Sequence, residues 1–158
     1  MNRCVVAMTA IALSFSAAAV ASEELDAAFD RDVLIIVASA HACHRFDIYL
    51  ARSNEQRARG LMYVRRLPAT TGMLFIYEVS DYVSMWMRNT YISLDILFAR
   101  RDGQVSSIAR GTEPLSLRSI RSTEPVTYVL ELNAGVAEEL SIDENSRLLW
   151  GPVLAADE

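Results

Sequence analysis

The feature that most constrains the fold is a two-residue alternation of apolar and polar side chains, which recurs in short segments along the chain. It is clearest in residues 45–50, where Phe46, Ile48 and Leu50 are separated by more polar neighbours. Successive side chains of a β-strand point to opposite faces, so this period predicts a strand with one buried face. Other short segments are rich in β-branched and aromatic residues, which favour strands. Strands are predicted over residues 33–37, 45–50, 73–77, 83–88, 92–99, 104–110, 126–132 and 146–150.

Helical signals are few and short. Ser53 is a suitable N-cap and Gly60 a suitable stop for a helix over residues 54–59. Asn133 predicts the start of a second brief helix that ends near Leu140. Two such helices could not cover both faces of a parallel βαβ sheet. The sequence therefore predicts a mainly β fold, a compact antiparallel β-sandwich or small barrel with one or two short helices.

Residues 1–21 have the features of a secretory signal peptide. A positive start is followed by an uncharged apolar run from Cys4 to about Val20, which ends in the small-x-small sequence Ala-Val-Ala. The run is too rich in Ala and Ser for a bilayer span of roughly 20 strongly apolar residues, and an uncleaved N-terminal anchor is the alternative. Residues 22–32 are predicted to be a flexible lead-in, and residues 33–154 a single β-rich domain. We therefore expect an exported protein, periplasmic or secreted.

Charge and cysteine content exclude several classes of protein. The chain has a net charge of −5, so nucleic acid is a poor partner because it attracts basic surfaces. All the basic residues are arginine, which rules out Schiff-base chemistry on lysine. After signal-peptide cleavage Cys43 is the remaining thiol, so a disulfide could form only between molecules. The sequence has no nucleotide-binding Gly-rich loop and no Gly-x-Ser-x-Gly elbow, and we expect neither a nucleotide nor another cofactor.

Two groups of residues contain metal-ligating atoms. His41, Cys43 and His44 lie within four residues, but an extended chain cannot easily direct three such neighbours at one ion, and we predict an exposed loop here. Methionine sulfur suits Cu(I), yet methionine is also an ordinary core residue. The methionines after residue 21 are Met62, Met73, Met85 and Met87. No bound metal is expected.

Five segments in a fixed order are more specific than any of these patterns. They are Glu55–Met62, Gly72–Phe75, Trp86–Thr90, Leu94–Phe98 and Val129–Gly135. In this order and spacing they resemble the domain of unknown function 192 family, over residues 33–150. The resemblance implies a compact β-rich domain, often secreted or associated with the cell envelope, for which no activity is established.

These segments contain more polar side chains than a purely structural signature needs. We predict that five residues form a polar ligand-binding cleft, namely Arg57, Trp86, Arg88, Asn89 and Asp95. Structural roles are the alternative. Trp86 could fill the core beside a turn at Asn89, and Asp95 could pair with Arg57, Arg59 or Arg88 and so tie the helix to the sheet.

Three functions are consistent with the sequence. The first is a non-catalytic periplasmic binding or accessory module, whose cleft takes a small polar or glycan-like ligand. The second is a carboxylate-based hydrolase of envelope polymers, with Asp95 and Glu131 as acid and base, which requires both carboxyl groups to face one groove. The third is a structural or interaction protein of the envelope that binds another envelope protein through an exposed apolar patch or sheet edge.

Overall fold

The computed structural model describes residues 24–38 and 42–151. The predicted signal peptide lies outside these ranges. The fold is mainly β, as the sequence predicted, and its helices are short. Over the two described ranges, no helix is both long enough and apolar enough to cross a membrane.

The described residues form nine strands and three short helices. The strands are β1 (Asp30–Val37), β2 (Cys43–Ala51), β3 (Thr71–Asp81), β4 (Ser84–Met85), β5 (Leu94–Ala99), β6 (Val105–Ala109), β7 (Ile120–Arg121), β8 (Val126–Asn133) and β9 (Arg147–Leu149). The helices are α1 (24–28), α2 (Asn54–Arg59) and α3 (Val136–Glu139). Each predicted strand overlaps one of these strands. The strand predicted over 83–88 shrinks to β4, since its partner β7 is only two residues long.

The start of the described chain differs from the predicted flexible lead-in over residues 22–32. Within it, residues 24–28 are helical and β1 already begins at Asp30. Leu25 and Phe29 are buried in the main body of the protein. The acidic composition of this segment concealed these two apolar anchors, whose burial fixes the backbone between them.

Seven strands form one sheet that curls into a nearly closed barrel. Their order is β6-β5-β8-β3-β2-β1-β9. Neighbouring strands are antiparallel except β2 and β3, which run parallel. The chain just before β6 meets the last strand, because Gln104 bridges to Arg147 and the Leu148 N–H donates to the Gly103 carbonyl at 2.8 Å. The structure is therefore a small barrel rather than a sandwich.

Alternation along the strands produces two hydrophobic cores. One core receives side chains from all seven strands of the sheet and fills the barrel; its members include Leu34, Ile48, Leu74, Leu97, Leu130 and Leu148. The other lies on the outer face of β2, β3, β5 and β8, with Met73, Phe75, Ile96 and Val129 among its members. Residues of α1, of the loop after α2 and of β4 cover this outer face. The central strands are thus buried on both faces, and a polar side chain on either face is buried with them.

Local signals in the sequence place α2 correctly. Ser53 is the N-cap, and its hydroxyl accepts a hydrogen bond from the Gln56 N–H at 3.1 Å while the Gln56 side chain accepts one from the Ser53 N–H. This reciprocal capping box fixes the helix start. Gly60 ends the helix with φ +48°, a conformation that suits glycine. The capping box and Gly60 therefore set where α2 begins and where it ends.

Candidate functional site

A cleft of about 250 Å³ lies between α2, β4 and the outer face of the barrel. We refer to it as the α2 cleft. Its apolar walls include Leu61, Met62, Phe75 and Met85, and its polar groups include those of Asn54, Arg57, Arg59, Tyr77, Ser84, Thr90 and Glu131. Trp86 stands at its edge with 49 % of its surface exposed. A few polar groups set in apolar walls are typical of a small-molecule site.

Glu131 is the most unusual residue of the α2 cleft. It lies on β8 between Met73 of β3 and Ile96 of β5, and only 4 % of its surface is exposed. It accepts no hydrogen bond from any residue in the described part of the chain. Burial removes water from the carboxyl and raises its pKa to about 8. The group is therefore mainly protonated at neutral pH, when it can both donate and accept a hydrogen bond.

Arg57 attaches α2 to the barrel beside this carboxyl. Its guanidinium donates to the carbonyl of Ile76 at 2.8 Å, and also to the carbonyl of Arg52 and the side-chain oxygen of Asn54. It lies 5.0 Å from the ring centre of Tyr77. Since these contacts occupy much of the guanidinium, Arg57 shapes the cleft more than it offers free donors to a ligand.

Tyr77 supplies a hydroxyl to the same cleft. Burial raises the pKa of Tyr77, and the nearby Arg57 charge opposes part of that rise. The hydroxyl therefore stays protonated at neutral pH. It lies 3.9 Å from the Met85 sulfur, which is a weak acceptor, so most of its hydrogen-bonding capacity is available to a ligand.

Trp86, Arg88 and Asn89 follow β4 in a tight turn at the edge of the cleft. The Arg88 guanidinium lies 5.6 Å from the Trp86 ring centre. Asn89 has φ +56°, and its side chain donates to the Tyr63 hydroxyl at 3.0 Å. The turn predicted at Asn89 is present, but the alternative that Trp86 fills the core is wrong, because Met85 and Met87 point inward instead.

Asp95 lies away from the cleft, inside the end of the barrel. It is 1 % exposed, and its two carboxylate oxygens accept hydrogen bonds from the backbone N–H groups of Gly111 at 2.8 Å and Ala137 at 3.0 Å. The predicted pairing with an arginine is therefore wrong. Asp95 instead accepts a hydrogen bond from a backbone N–H in the first turn of α3. The N-cap of this helix is Gly135, which forms no side-chain cap, and not Asn133 as predicted.

The sequence-predicted cleft is thus only partly assembled. Arg57 and Trp86 line it, Arg88 and Asn89 lie beside Trp86, and Asp95 belongs to another part of the barrel. Asp95 and Glu131 lie on adjacent strands in the register that places them on opposite faces of the sheet. They therefore do not face one groove.

Comparison with known proteins identifies the family. The model of DUF192, described as "Uncharacterized ACR", matches residues 35–150. The chain belongs to the DUF192 family.

Two solved structures resemble this DUF192 domain closely. A proposed transcription regulator from Sinorhizobium meliloti 1021 is 38 % identical, with a TM-score of 0.75 over 77 % of this chain and 94 % of the other. A protein of unknown function from Novosphingobium aromaticivorans DSM 12444 is 32 % identical, with a TM-score of 0.73 over 76 % of this chain and 85 % of the other. No curated protein matches the sequence.

Sequence reasoning named Glu131 only as an acid–base partner for Asp95 in one groove and did not place it beside Arg57 and Trp86. A usable signal was present, because Glu131 interrupts the apolar strand Val-Leu-Glu-Leu in this DUF192 domain. Tyr77 and Thr90 gave no comparable signal. They enter the cleft because α2 and β4 fold over β3, which no local pattern reveals.

The residues around Cys43 differ from the predicted exposed loop. Cys43 and His44 begin β2, and Cys43 is an exposed free thiol, while His41 lies outside the described residues. Among the residues that the structure does describe, no group of three His, Cys, Asp or Glu side chains is arranged to hold a metal.

Proposed function

We propose that this DUF192 domain is a non-catalytic binding module, exported after removal of residues 1–21, that holds a small polar, sugar-like ligand in the α2 cleft. The observation that carries the proposal is the buried carboxyl of Glu131, which lies at an open cleft without a hydrogen-bond partner from the described residues. Leaving such a group unpaired costs roughly 1–3 kcal/mol. A ligand hydroxyl could recover that energy.

The chemistry of the cleft suits a hydroxyl-bearing ligand. A protonated carboxyl both donates and accepts, as a hydroxyl does, so the two can exchange a pair of hydrogen bonds. The Tyr77 and Ser84 hydroxyls add further neutral partners, and Trp86 offers an aromatic ring at the edge. The volume of about 250 Å³ lies just below the roughly 300–1,000 Å³ of typical ligand pockets. These features support a ligand about as large as one sugar ring.

Binding is better supported than hydrolysis. Glycoside hydrolysis by the common mechanism needs two carboxyl groups on either side of the scissile bond. Among the described residues that line the α2 cleft, Glu131 is the one acidic residue, and Asp95 lies on the other face of the sheet. The described part of the cleft therefore offers no second carboxyl for this chemistry.

The name of the Sinorhizobium meliloti structure raises DNA binding as an alternative. Many DNA-binding domains insert a helix into the major groove and surround it with basic residues. In the described residues the longest helix is α2 with six residues, and the whole chain carries a charge of −5. Both features support a small ligand over a nucleic acid.

Titration with sugars tests the proposal. The purified protein is mixed with a panel of neutral hexoses, N-acetylated amino sugars and uronic acids, and binding is followed by NMR and by the shift in melting temperature. We expect at least one neutral sugar to bind, and Glu131→Leu to weaken that binding at least tenfold. The matched control is Glu138→Gln, which changes an exposed carboxylate on α3. Failure of the whole panel to bind, or binding that Glu131→Leu leaves intact, would refute the proposal.

The exported location is a separate part of the proposal. It is supported by the positive start, the apolar run and the Ala-Val-Ala sequence. N-terminal sequencing of the protein recovered from a periplasmic extract is expected to begin at Ser22. Recovery from the cytoplasm with Met1 retained would contradict it.

A further inference from the structure

Exposed apolar side chains are concentrated next to the α2 cleft. Seven large apolar residues of the described chain are exposed, and five of them belong to three neighbouring loops, over residues 60–67, 86–92 and 111–119. These five are Tyr63, Trp86, Tyr91, Leu115 and Leu117. We name this surface the aromatic platform. A cluster of exposed apolar groups, unlike a single one, marks a binding surface.

Direct contacts hold the three loops together. The Tyr63 N–H donates to the Asn89 carbonyl at 2.8 Å, and the Leu115 N–H donates to the Thr90 carbonyl at 3.1 Å. The rings of Tyr63 and Tyr91 meet edge to face, with centres 6.2 Å apart. The platform is therefore held in one arrangement before any partner arrives, which lowers the entropy cost of binding.

The three loops contain four arginines, Arg65, Arg66, Arg88 and Arg118, and none forms an ion pair with a described residue. Two of the four lie against rings of the platform. Arg65 lies 4.8 Å from the ring centre of Tyr91, and Arg88 lies 5.6 Å from that of Trp86. Neither forms an ion pair with a described residue, whereas four arginines elsewhere in the described chain do. Glu113 is the one carboxylate in the three loops, and it forms an ion pair with neither Arg65 nor Arg88. An acidic protein thus presents a locally basic, aromatic face.

We propose that the aromatic platform docks an acidic segment of a partner protein. Trp, Tyr and Arg are the residues that most often dominate binding energy at protein interfaces. Arg65 and Arg88, positioned against the rings, would bind carboxylates of the segment, while Leu115 and Leu117 would contact its apolar side chains. A neutral sugar polymer fits less well, because it offers no carboxylates to the two arginines and no apolar side chains to the two leucines.

The proposal does not rest on the α2 cleft. Trp86 borders both surfaces, but Arg65 and Arg88 do not line the cleft. Substitution of these arginines therefore tests the platform, and substitution of Glu131 tests the cleft. Glu131→Leu is expected to leave docking on the platform unchanged.

Titration with a panel of peptides provides the test. The purified protein is titrated with 12-residue peptides that place Asp and Glu around a central Leu, Phe or Tyr, and with matched peptides in which Asn and Gln replace the acids. The Trp86 indole reports binding to the platform, because it is exposed, while Trp150 is buried and hydrogen-bonded to Asp32. We expect acidic peptides alone to bind, with the Trp86 indole NMR signal shifting and that of Trp150 unchanged.

Charge reversal then distinguishes the platform from general attraction. Arg65→Glu and Arg88→Glu are each expected to weaken peptide binding at least tenfold. Arg101→Glu, at the far end of β5 from the platform, makes the same charge change and is expected to alter binding less than twofold. The proposal is overturned if no acidic peptide binds, if Arg101→Glu is as harmful as the other two, or if polygalacturonate or anionic phosphatidylglycerol vesicles bind the platform more tightly than every peptide.

Discussion

The titration of Glu131 offers a quantitative test of how deeply its carboxyl is buried. Folding raises the pKa of Glu131 from an ordinary value of 4.5 to about 8. The folded protein therefore keeps a proton between these values that the unfolded chain has lost. The contribution of the protonated Glu131 carboxyl to the free energy of unfolding is fully present below pH 4.5 and is lost as the pH rises through 8.

The size of the effect follows from the two pKa values. Each pH unit between them changes the free energy of unfolding by about 1.4 kcal/mol. The full displacement from 4.5 to about 8 thus corresponds to about 5 kcal/mol, and the interval from pH 5 to pH 8 alone to about 4 kcal/mol. Loss of this amount is a large part of the roughly 5–15 kcal/mol that stabilises a typical domain.

The variant Glu131→Gln isolates this contribution, because glutamine has nearly the same shape and cannot titrate. Urea unfolding is measured for the original protein and the variant at each half unit from pH 5 to pH 8.5. We expect the original protein to lose about 4 kcal/mol relative to the variant over this range. Glu138→Gln serves as the exposed control and is expected to run parallel to the original. Parallel curves for the original and Glu131→Gln would show that the carboxyl is solvated and that the reasoning is wrong.

Three further predictions concern the fold. Gly103 and Gly111 both have positive φ, but a Cβ on Gly103 would lie 2.1 Å from the Leu148 carbonyl oxygen, whereas one on Gly111 would meet nothing within 4 Å. In urea unfolding, Gly103→Ala is therefore expected to destabilise the protein by at least about 2 kcal/mol more than Gly111→Ala. Equal losses of stability would exclude the steric explanation. Asp95→Ala leaves the buried N–H of Ala137 and the part-buried N–H of Gly111 without their acceptor. It is expected to cost about 1–3 kcal/mol, and a loss below about 0.5 kcal/mol would count against the role assigned to Asp95. Ser53→Ala removes the cap of α2 and is expected to lower stability by about 1 kcal/mol, measured by thermal unfolding, while an unchanged melting temperature would contradict the capping box.

Local features of this fold could be predicted from the sequence. The capping residue Ser53 and the stop at Gly60 placed α2 correctly. The alternation in residues 45–50 identified a strand within β2. Each of these signals depends on neighbours in sequence, where spacing determines which side chains share a face.

The arrangement of the strands could not be predicted in the same way. Nothing in the sequence of β2 or β3 indicates that the two strands pair in parallel, because their relative orientation depends on the packing of distant segments. The same limit applies to Asp95, whose partners at Gly111 and Ala137 are backbone N–H groups that any sequence supplies. Backbone partners leave no trace in residue identities, so an arginine was the natural but incorrect choice.

The pairing of β1 with β9 has a consequence for how the protein forms. Ile35 near the start of the described chain lies opposite Leu149 near its end. A nascent polypeptide therefore cannot complete the ring of strands until β9 has been synthesised, and until then β1 lacks one of its two neighbouring strands. Pairing across so long a stretch of sequence is slow. During that delay the edge of β1 has unpaired backbone N–H and C=O groups that can pair with another molecule. Truncation just before β9 should therefore yield aggregates rather than a slightly smaller soluble domain.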